Sequence, residues 1–514
     1  MGKYLKLFSN HAEYDAFLET EDFIKPNVSH CIQENDVHYN PIPHDYSKDY
    51  LTFVALEDGA TFTFNGATVN NITNKASYSL DDGNTWTEIE SGVSTSSINT
   101  GDKILWKGEM TPNTGWSLGI GNFTSTKTFD VEGNIMSLLY GDNFKEETDL
   151  TDKNGAFYRI FYNDTNITNA DKLSLPATTL STSCYERIFE GCTGLTTAPE
   201  LPATTLANRC YARLFYNCSS LTTAPELPAT TLAEECYSQM FYGCTNLTTA
   251  PELPVTNLVN GCYNYMFHGC TSLTTAPELP ATTLAEECYR DMFSGCTSLT
   301  TAPELPATTL VGKNCYYHMF YGCTSLTTAP ELPATTLADW CYNAMFYGCT
   351  SLTAAPELPA TTLTEACYTS MFSGCTSLVD VPTVLPATTM TSDCYSSMFK
   401  GCTSLTTAPE LPATTLADYC YDYMFKGCTS LTTAPELPAT TLVGTSCYRQ
   451  MFNGCTRLNY IKAMFTTTPS TAYTSSWVNN VSATGTFVKN SAATWDVSGV
   501  HGIPSGWTVQ TASE

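Results

Sequence analysis

The residues best suited to chemistry in this chain are its cysteines, 23 among 514 residues. Twenty-two of them come in pairs of the form Cys-x7-Cys, as in Cys236 and Cys244, and only Cys31 stands apart. Zinc ligands favour two to four intervening residues, so seven is the wrong spacing for a metal. A disulfide framework is the other ordinary use of many cysteines, mostly in small secreted domains. Seven histidines (His11, His30, His38, His44, His268, His318 and His501) form no metal pair and no triad spacing. Phosphate loops and dinucleotide fingerprints are lacking as well. The expectation is a protein without catalytic residues, cofactor or metal.

A second candidate is acidic. Glu200, Glu226, Glu252, Glu278, Glu304, Glu331, Glu357, Glu410 and Glu436 share one repeat position. Stacked carboxylates are what calcium selects. The alternative is a solvated acidic rim kept soluble by repulsion. Thr383 interrupts the row, which harms a line of cation sites more than a rim, so the rim is the preferred reading.

What positions these groups is a repeat. First cysteines fall at 184, 210, 236, 262, 288, 315, 341, 367, 394, 420 and 447, in steps of 26 or 27 residues. A fixed period in this range marks a solenoid whose units bury their apolar faces against one another. In one copy, Thr231 and Glu234 read as a capping box. Leu232, Cys236, Met240 and Cys244 then recur every four residues, with Tyr237 and Phe241 beside them, as the stripe of a short buried helix. Gly243 is expected to end it with a left-handed backbone. Ten copies carry Gly there and one carries Asn217, the next best residue for that conformation. Leu247 opens a very short strand, and Pro251 and Pro254 make a polyproline-like return. The predicted fold is a leucine-rich-repeat-like solenoid of strand plus helix. Strands stack at about 4.8 Å and helices at about 8–10 Å, so it should curve with the strands inside.

On this reading Cys236 and Cys244 lie about 12 Å apart along a helix, and equivalents in adjacent helices about 8–10 Å apart. A disulfide needs Cα atoms within about 7 Å. Buried free thiols are therefore preferred, with bridges between neighbours becoming feasible if the coils were all strand.

Between repeats, the residues after Cys-Tyr differ freely: Glu186-Arg187, Ala212-Arg213, Ser238-Gln239, Asn264-Tyr265, Arg290-Asp291, Tyr317-His318, Asp422-Tyr423. Drift at exposed sites is one explanation. The other is a contact surface made by Arg187, Arg213, Gln239, Tyr265, Asp291, His318 and Tyr423, since Tyr and Arg are favoured contact residues.

Four regions follow. Residues 1–47 hold a strand at Tyr4–Phe8, a helix over His11–Leu18 capped by Asn10 and Glu13, and a hairpin of Val28–Cys31 with Val37–Tyr39 around Glu34-Asn-Asp36, which sets His30 opposite His38. Residues 48–145 read as a β-sandwich-like domain with strands at Leu51–Ala55, Thr61–Phe64, Lys103–Trp106 and Thr128–Val131. Ser79-Leu-Asp81-Asp-Gly83-Asn-Thr-Trp86 resembles the Asp-box hairpin of sialidases and related β proteins. There Asp81 and Ser79 would brace a turn over Trp86, a structural role. Residues 146–458 are the solenoid, opened by a degenerate cysteine-free repeat over 156–180. Residues 459–514 break the period and read as a β-rich cap.

Charge excludes one class of partner. Acids outnumber bases 50 to 23, giving a net charge of −27 that repels nucleic acid. No apolar run is long enough to span a membrane. The start lacks a secretory core, and position 6 breaks the myristoylation pattern.

The core Phe241-Tyr-Gly-Cys244-Thr-Asn-Leu247, followed by a Leu-Pro step, resembles BspA-like leucine-rich repeats. That family occurs on bacterial surfaces and in phage proteins as adhesive or recognition modules. This unit is longer than the usual one, and Cys-Tyr replaces the family's Ile-Gly. The layout, from Tyr4-Leu-Lys-Leu-Phe8 and Asn35-Asp-Val-His-Tyr-Asn40 through Ile135–Asn143 to Gly502-Ile-Pro-Ser-Gly-Trp-Thr508, is similar to modular proteins of gut Bacteroidales and their phages. The resemblance implies a non-enzymatic virion surface protein, a fibre or decoration made in the host cytosol, contacting a host surface protein or glycan. Residues 1–47 would join it to other virion proteins, as a trimer in one arrangement. A bacterial cell-surface adhesin is the alternative and a glycan-active enzyme the third reading.

Overall fold

The computed structural model describes the backbone of residues 4–8 and 28–32, and residues 44–113 and 119–512 in full. The chain forms two compact units, Met1–Lys48 and Asp49–Glu514. In the first, β1 (Tyr4–Phe8) and β2 (Val28–Ile32) pair in parallel, with Tyr4 opposite Val28. The helix expected over His11–Leu18, the turn at Glu34–Asp36, the strand at Val37–Tyr39 and the pairing of His30 with His38 lie outside the described residues.

The second unit opens with strands β3 (Leu51–Ala55), β4 (Phe62–Gly66), β5 (Thr68–Val69), β6 (Ile72–Thr73), β7 (Ala76–Ser79), β8 (Thr87–Ile89), β9 (Lys103–Lys107), β10 (Gly121–Ser125) and β11 (Phe129–Asn134). With β12 (Ile167–Ser174) they form a sheet in the order β12-β11-β3-β9-β7-β8, and β10 pairs with β4. Alternation drives these strands inward on one side: Ile104 and Trp106 are buried, while Lys103 is exposed and Leu105 and Lys107 are half-buried. Phe53 sits at the centre, its ring 5.0 Å from both Phe123 and Phe129. These strands are joined to the repeats. β11 pairs in parallel with β12, which belongs to the first coil. Phe123 also stacks on Phe161 of that coil at 6.1 Å. Residues 48–145, 146–458 and 459–514, distinct in composition, thus share this unit from Asp49 onward.

The repeats depart from expectation first in the segment read as a helix, which is a ribbon of overlapping β-turns. In one copy Cys236, Ser238, Met240, Tyr242 and Cys244 each donate their N–H three residues back, to Ala233, Glu235, Tyr237, Gln239 and Phe241. The alternate residues do otherwise. Glu235, Tyr237, Gln239, Phe241 and Gly243 donate to Asn260, Cys262, Asn264, Met266 and His268 of the next coil, at 2.8–3.1 Å. Glu235, Gln239 and Gly243 have φ of 53°, 56° and 71°. A positive φ at the third residue of a turn is the type II signature. The ribbon therefore repeats every four residues, like the sequence. An α-helix turns about 400° in four residues and so drifts about 40° at each step. The doublets Cys236-Tyr237 and Met240-Phe241 would rotate off a common face, whereas in the ribbon they stay in register. Thr231 is likewise no helix cap: it bridges in parallel to Thr205.

Lateral bonding also sets the stacking distance. Successive tyrosine rings from Tyr185 to Tyr448 lie 5.6–6.1 Å apart. Successive phenylalanine rings from Phe189 to Phe452 lie 5.6–5.8 Å apart. Packed helices cannot approach so closely. The mismatch between helix and strand spacing that predicted a curved arc is thereby removed.

On the other side of each coil, short parallel bridges replace the expected strand. One column runs Thr223, Thr249, Thr275, Thr301, Thr328, Ala354, Asp380. A second includes β13 (Thr283–Leu284) and β14 (Thr309–Leu310). Leu227, Leu232, Cys236, Tyr237, Met240, Phe241, Cys244 and Leu247 fill the core between them.

Both ends continue this scheme. The cysteine-free first coil bonds alike, with Phe157, Arg159, Phe161 and Asn163 donating to Cys184, Glu186, Ile188 and Glu190. The C-terminal segment breaks the sequence period but not the stacking. Phe452 and Gly454 donate to Trp477 and Asn479, and Trp477 is fully buried 6.1 Å from Phe452. Strands β15 (Tyr460–Ala463), β16 (Thr486–Lys489) and β17 (Thr508–Thr511) then stack in parallel, Tyr460 over Thr486 over Thr508.

Candidate functional site

All 22 repeat cysteines are buried and unbridged. The helix spacing that argued against bridges does not exist, so their state has another cause. In the second column each thiol has a specific partner. Cys192 donates to the carbonyl of Phe161, Cys218 to Phe189, Cys244 to Phe215 and Cys270 to Phe241, at 3.0–3.1 Å. The pattern runs on to Cys455 and Phe425. Burial pushes the thiols of both columns up, Cys236 and Cys262 of the first column to about 12. A proton held this tightly leaves little thiolate at neutral pH, and the thiolate is the nucleophilic form.

The Asp-box residues form a closed local network. Ser79 Oγ donates to Asp81 Oδ1 at 2.7 Å and accepts from Gly83 N at 2.9 Å. Asp81 accepts from Thr85 N and Thr85 Oγ1. Trp86 donates to Gly83 O at 3.0 Å and lies 4.9 Å from the Tyr50 ring, with Lys107 Nζ 4.2 Å over it. Every polar atom in this set is spent on the turn.

The acidic row stands exposed from Glu200 to Glu436, and Glu436 pairs with Lys462 at 2.9 Å. Among the described residues no three His, Cys, Asp or Glu side chains converge as metal ligands.

The variable residues have a common backbone feature that sequence reasoning missed. Arg187, Arg213, Gln239, Tyr265, Asp291, His318 and Tyr423 all occupy the second left-handed position of their ribbon, together with Ala344, Ser370, Ser397 and Gln450. Their φ values span 48–62°. Left-handed backbone costs a non-Gly residue about 1–2 kcal/mol. The third left-handed position avoids that cost with Gly or Asn in every copy. The second carries neither in any copy. Side chains at this column are retained against a backbone penalty.

The structure gathers these residues into three groups along the outward face. Tyr265, Asp291 and His318 lie on consecutive coils. Asp291 is 5% exposed, 3.4 Å from His318 Nδ1 and 3.5 Å from Arg290 Nε. Arg290 lies over the rings of Tyr265 and Tyr317 at 5.6 and 5.2 Å. Burial first, and the Asp291 carboxylate second, push the Tyr265 hydroxyl up to about 12. Nearer the C-terminus, Tyr423 is covered by Lys426 at 4.8 Å and Arg449 at 4.9 Å, and Arg449 pairs with Asp422. Toward the N-terminus, Arg187 and Arg213 meet Tyr158 and Tyr216. Gln239 sits between the Arg213 and Tyr265 groups.

A neighbouring column was also missed. In several copies the residue before the third left-handed position is aromatic. Tyr216, Tyr242 and His268 stack there at 4.5 and 4.4 Å, and Tyr321 and Tyr347 at 4.7 Å. A four-residue period places 239 and 242 on one face, so the spacing held this signal.

A model of the BspA type leucine rich repeat region, six copies long, matches residues 158–300, 262–406 and 369–490. The chain belongs to the BspA-type leucine-rich-repeat family. No curated protein matches it in sequence. Among solved structures, a leucine-rich repeat protein from Bacteroides ovatus is 19% identical, over 79% of this chain and 98% of that one, with a TM-score of 0.43. A TLR13–ssRNA13 complex is 14% identical over 65% of this chain and 48% of that one, with a TM-score of 0.24. Among the described residues no helix is long and apolar enough to cross a membrane.

Proposed function

We propose that this BspA-type repeat protein is a non-enzymatic surface recognition protein whose contact face is the outward side of the turn ribbon. One observation carries the reading: the backbone of that face is uniform from coil to coil, while its left-handed column varies among Arg, Gln, Tyr, Asp, His, Ser and one Ala, each against a backbone cost. Uniform scaffold with varied, Tyr- and Arg-rich projection is the composition of contact surfaces. The partner is a host surface protein or glycan. The layout resemblance to Bacteroidales phage proteins favours display on a phage particle over display on a bacterial cell. Mass spectrometry of purified particles and of bacterial envelopes separates the two, and absence from particles removes the phage assignment. The unit Met1–Lys48, compact by itself, is the proposed attachment to other virion proteins, as a trimer in one arrangement. Binding of the purified chain to intact Bacteroidales cells, by flow cytometry, tests the recognition role. A chain that binds no cell type of the panel contradicts it.

A further inference from the structure

Three cations converge on one tyrosine ring of the outward face. Lys426 Nζ lies 4.8 Å from the centre of the Tyr423 ring, the Arg449 guanidinium 4.9 Å and Lys400 Nζ 5.7 Å. A ring face attracts each cation, but cations gathered on one ring repel each other. In a chain of net charge −27, such a cluster does not follow from composition. Lys400 and Lys426 hold the same ribbon position on consecutive coils, where Gly374 and Gly401 donate to their carbonyls at 2.7 and 2.8 Å. No other repeat carries Lys or Arg at that position.

A carboxylate answers only one of the three. Asp422, 3% exposed, accepts from Arg449 Nε at 2.9 Å and from Arg449 Nη2. Asp393 accepts from Ser392 Oγ at 2.9 Å. Among the described residues, Lys400 and Lys426 pair with no carboxylate. Lys426 donates once, to Gln450 Oε1 at 2.9 Å. Asn453 Nδ2 donates to the same oxygen at 3.1 Å, and Gln450 Nε2 donates to the Tyr423 hydroxyl at 3.3 Å. This amide chain holds the Lys426 ammonium beside the ring and leaves two of its three donors for a ligand. Lys400 is exposed, and the ribbon positions adjoining it carry the small, neutral Ser373 and Ser397.

The unanswered charge selects the ligand. A planar carboxylate is best held by a guanidinium fork, and the fork of Arg449 is taken by Asp422. Ammonium groups are compact point charges that bind phosphate without a planar match. Sulfate presents the same tetrahedral oxygens. Repulsion by the rest of the chain does not forbid such a group, because salt screens charges beyond about 8 Å at physiological ionic strength.

We propose that the cluster of Lys400, Lys426 and Tyr423 binds a sulfate or phosphate ester group carried on a glycan. The two ammonium groups take the ester oxygens, and Gln450 and Asn453 position Lys426. The inference rests on the recognition reading above and names one ligand class for it.

The test is interferometry of the full chain on immobilised dextran, carboxymethyl dextran, dextran sulfate and dextran phosphate, which share a backbone and differ in the appended group. Dextran sulfate or dextran phosphate should bind about tenfold or more tightly than the other two, and the tighter of the pair identifies the ester. Lys400→Gln with Lys426→Gln should lose about tenfold or more, since charged hydrogen bonds discriminate on that scale. Lys127→Gln with Lys313→Gln, the same change of net charge elsewhere, should bind like the parent. If the first pair lowers the melting temperature, Lys400→Gln alone, at an exposed position outside the amide chain, still reports with a several-fold loss. Equal binding of carboxymethyl dextran makes this a general anion patch and overturns the ester assignment. Equal binding of plain dextran, no binding, or an equal loss in the Lys127 and Lys313 variant overturns the proposal. Cell binding separates the two levels: a chain that binds cells but neither ester leaves the recognition face and removes this site. A chain that binds an ester but no cells does the reverse.

Discussion

Cys244 donates its thiol proton to the carbonyl oxygen of Phe215, one coil back, at 3.1 Å. That oxygen already accepts from Cys218 N at 3.1 Å, so the thiol adds a second bond to a carbonyl closing a turn. The bond requires S–H and is lost on oxidation. Thiol titration of the unfolded protein, with oxidation blocked, should find nearly all 23 cysteines free, and reductant should barely move the melting temperature. Cys244→Ala should cost about 2 kcal/mol, for a small cavity plus a weak bond. Ordered bridges along either column would contradict this account of the thiols.

Alkali should unfold the protein steeply. The folded thiols and ring hydroxyls have pKa values raised by burial, with Cys184 and Cys236 at about 12 against an ordinary 9.0. Well below the ordinary thiol pKa neither folded nor unfolded thiols lose protons, and the stabilisation is whole. Above it the unfolded chain releases protons that the folded chain holds, so stability falls by about 1.4 kcal/mol per thiol per pH unit. Circular dichroism against pH should show a cooperative transition between about pH 9 and 12. Persistence of the fold to pH 12 would contradict dry burial of the columns.

The left-handed positions should respond in opposite directions. Gly374, at φ 79°, is expected to lose about 1–2 kcal/mol as Gly374→Ala. Ser370, at φ 55° in the same coil, should lose little or gain as Ser370→Gly, because relief of the backbone offsets the added chain entropy. Thermal melts of the two variants compare them directly.

How far the sequence reveals this fold depends on the residue. Gly243 and Asn217 announce their left-handed backbone because only such residues adopt it cheaply. The buried doublets Cys236-Tyr237 and Met240-Phe241 announce a core stripe. Their four-residue spacing resembles a helix closely enough over ten residues to mislead, and the difference lies in lateral bonds to the next coil, which a single repeat cannot express. The candidate face was half legible. Variation at Gln239 and its counterparts marked them as outward. Their left-handed backbone was hidden, because Arg, Tyr and His there run against local propensity.

Far-UV circular dichroism gives a direct check on the ribbon. The spectrum should lack the paired minima of an α-helical protein, since among the described residues the α-helices are the four-residue Ser137–Tyr140 and Thr471–Thr474. A strongly helical spectrum would restore the strand-and-helix solenoid.

The recognition face itself is tested most directly by comparing two variants of the full chain in binding to intact Bacteroidales cells. One replaces Tyr265, His318 and Tyr423 on the left-handed column by Ser. The other replaces Glu252, Glu278 and Glu304 on the opposite acidic row by Gln. The account predicts that the first loses about tenfold or more in binding, as hot-spot aromatics do, with its melting temperature little changed, while the second binds like the parent. Unchanged binding by the first variant, or a larger loss in the second, would contradict it.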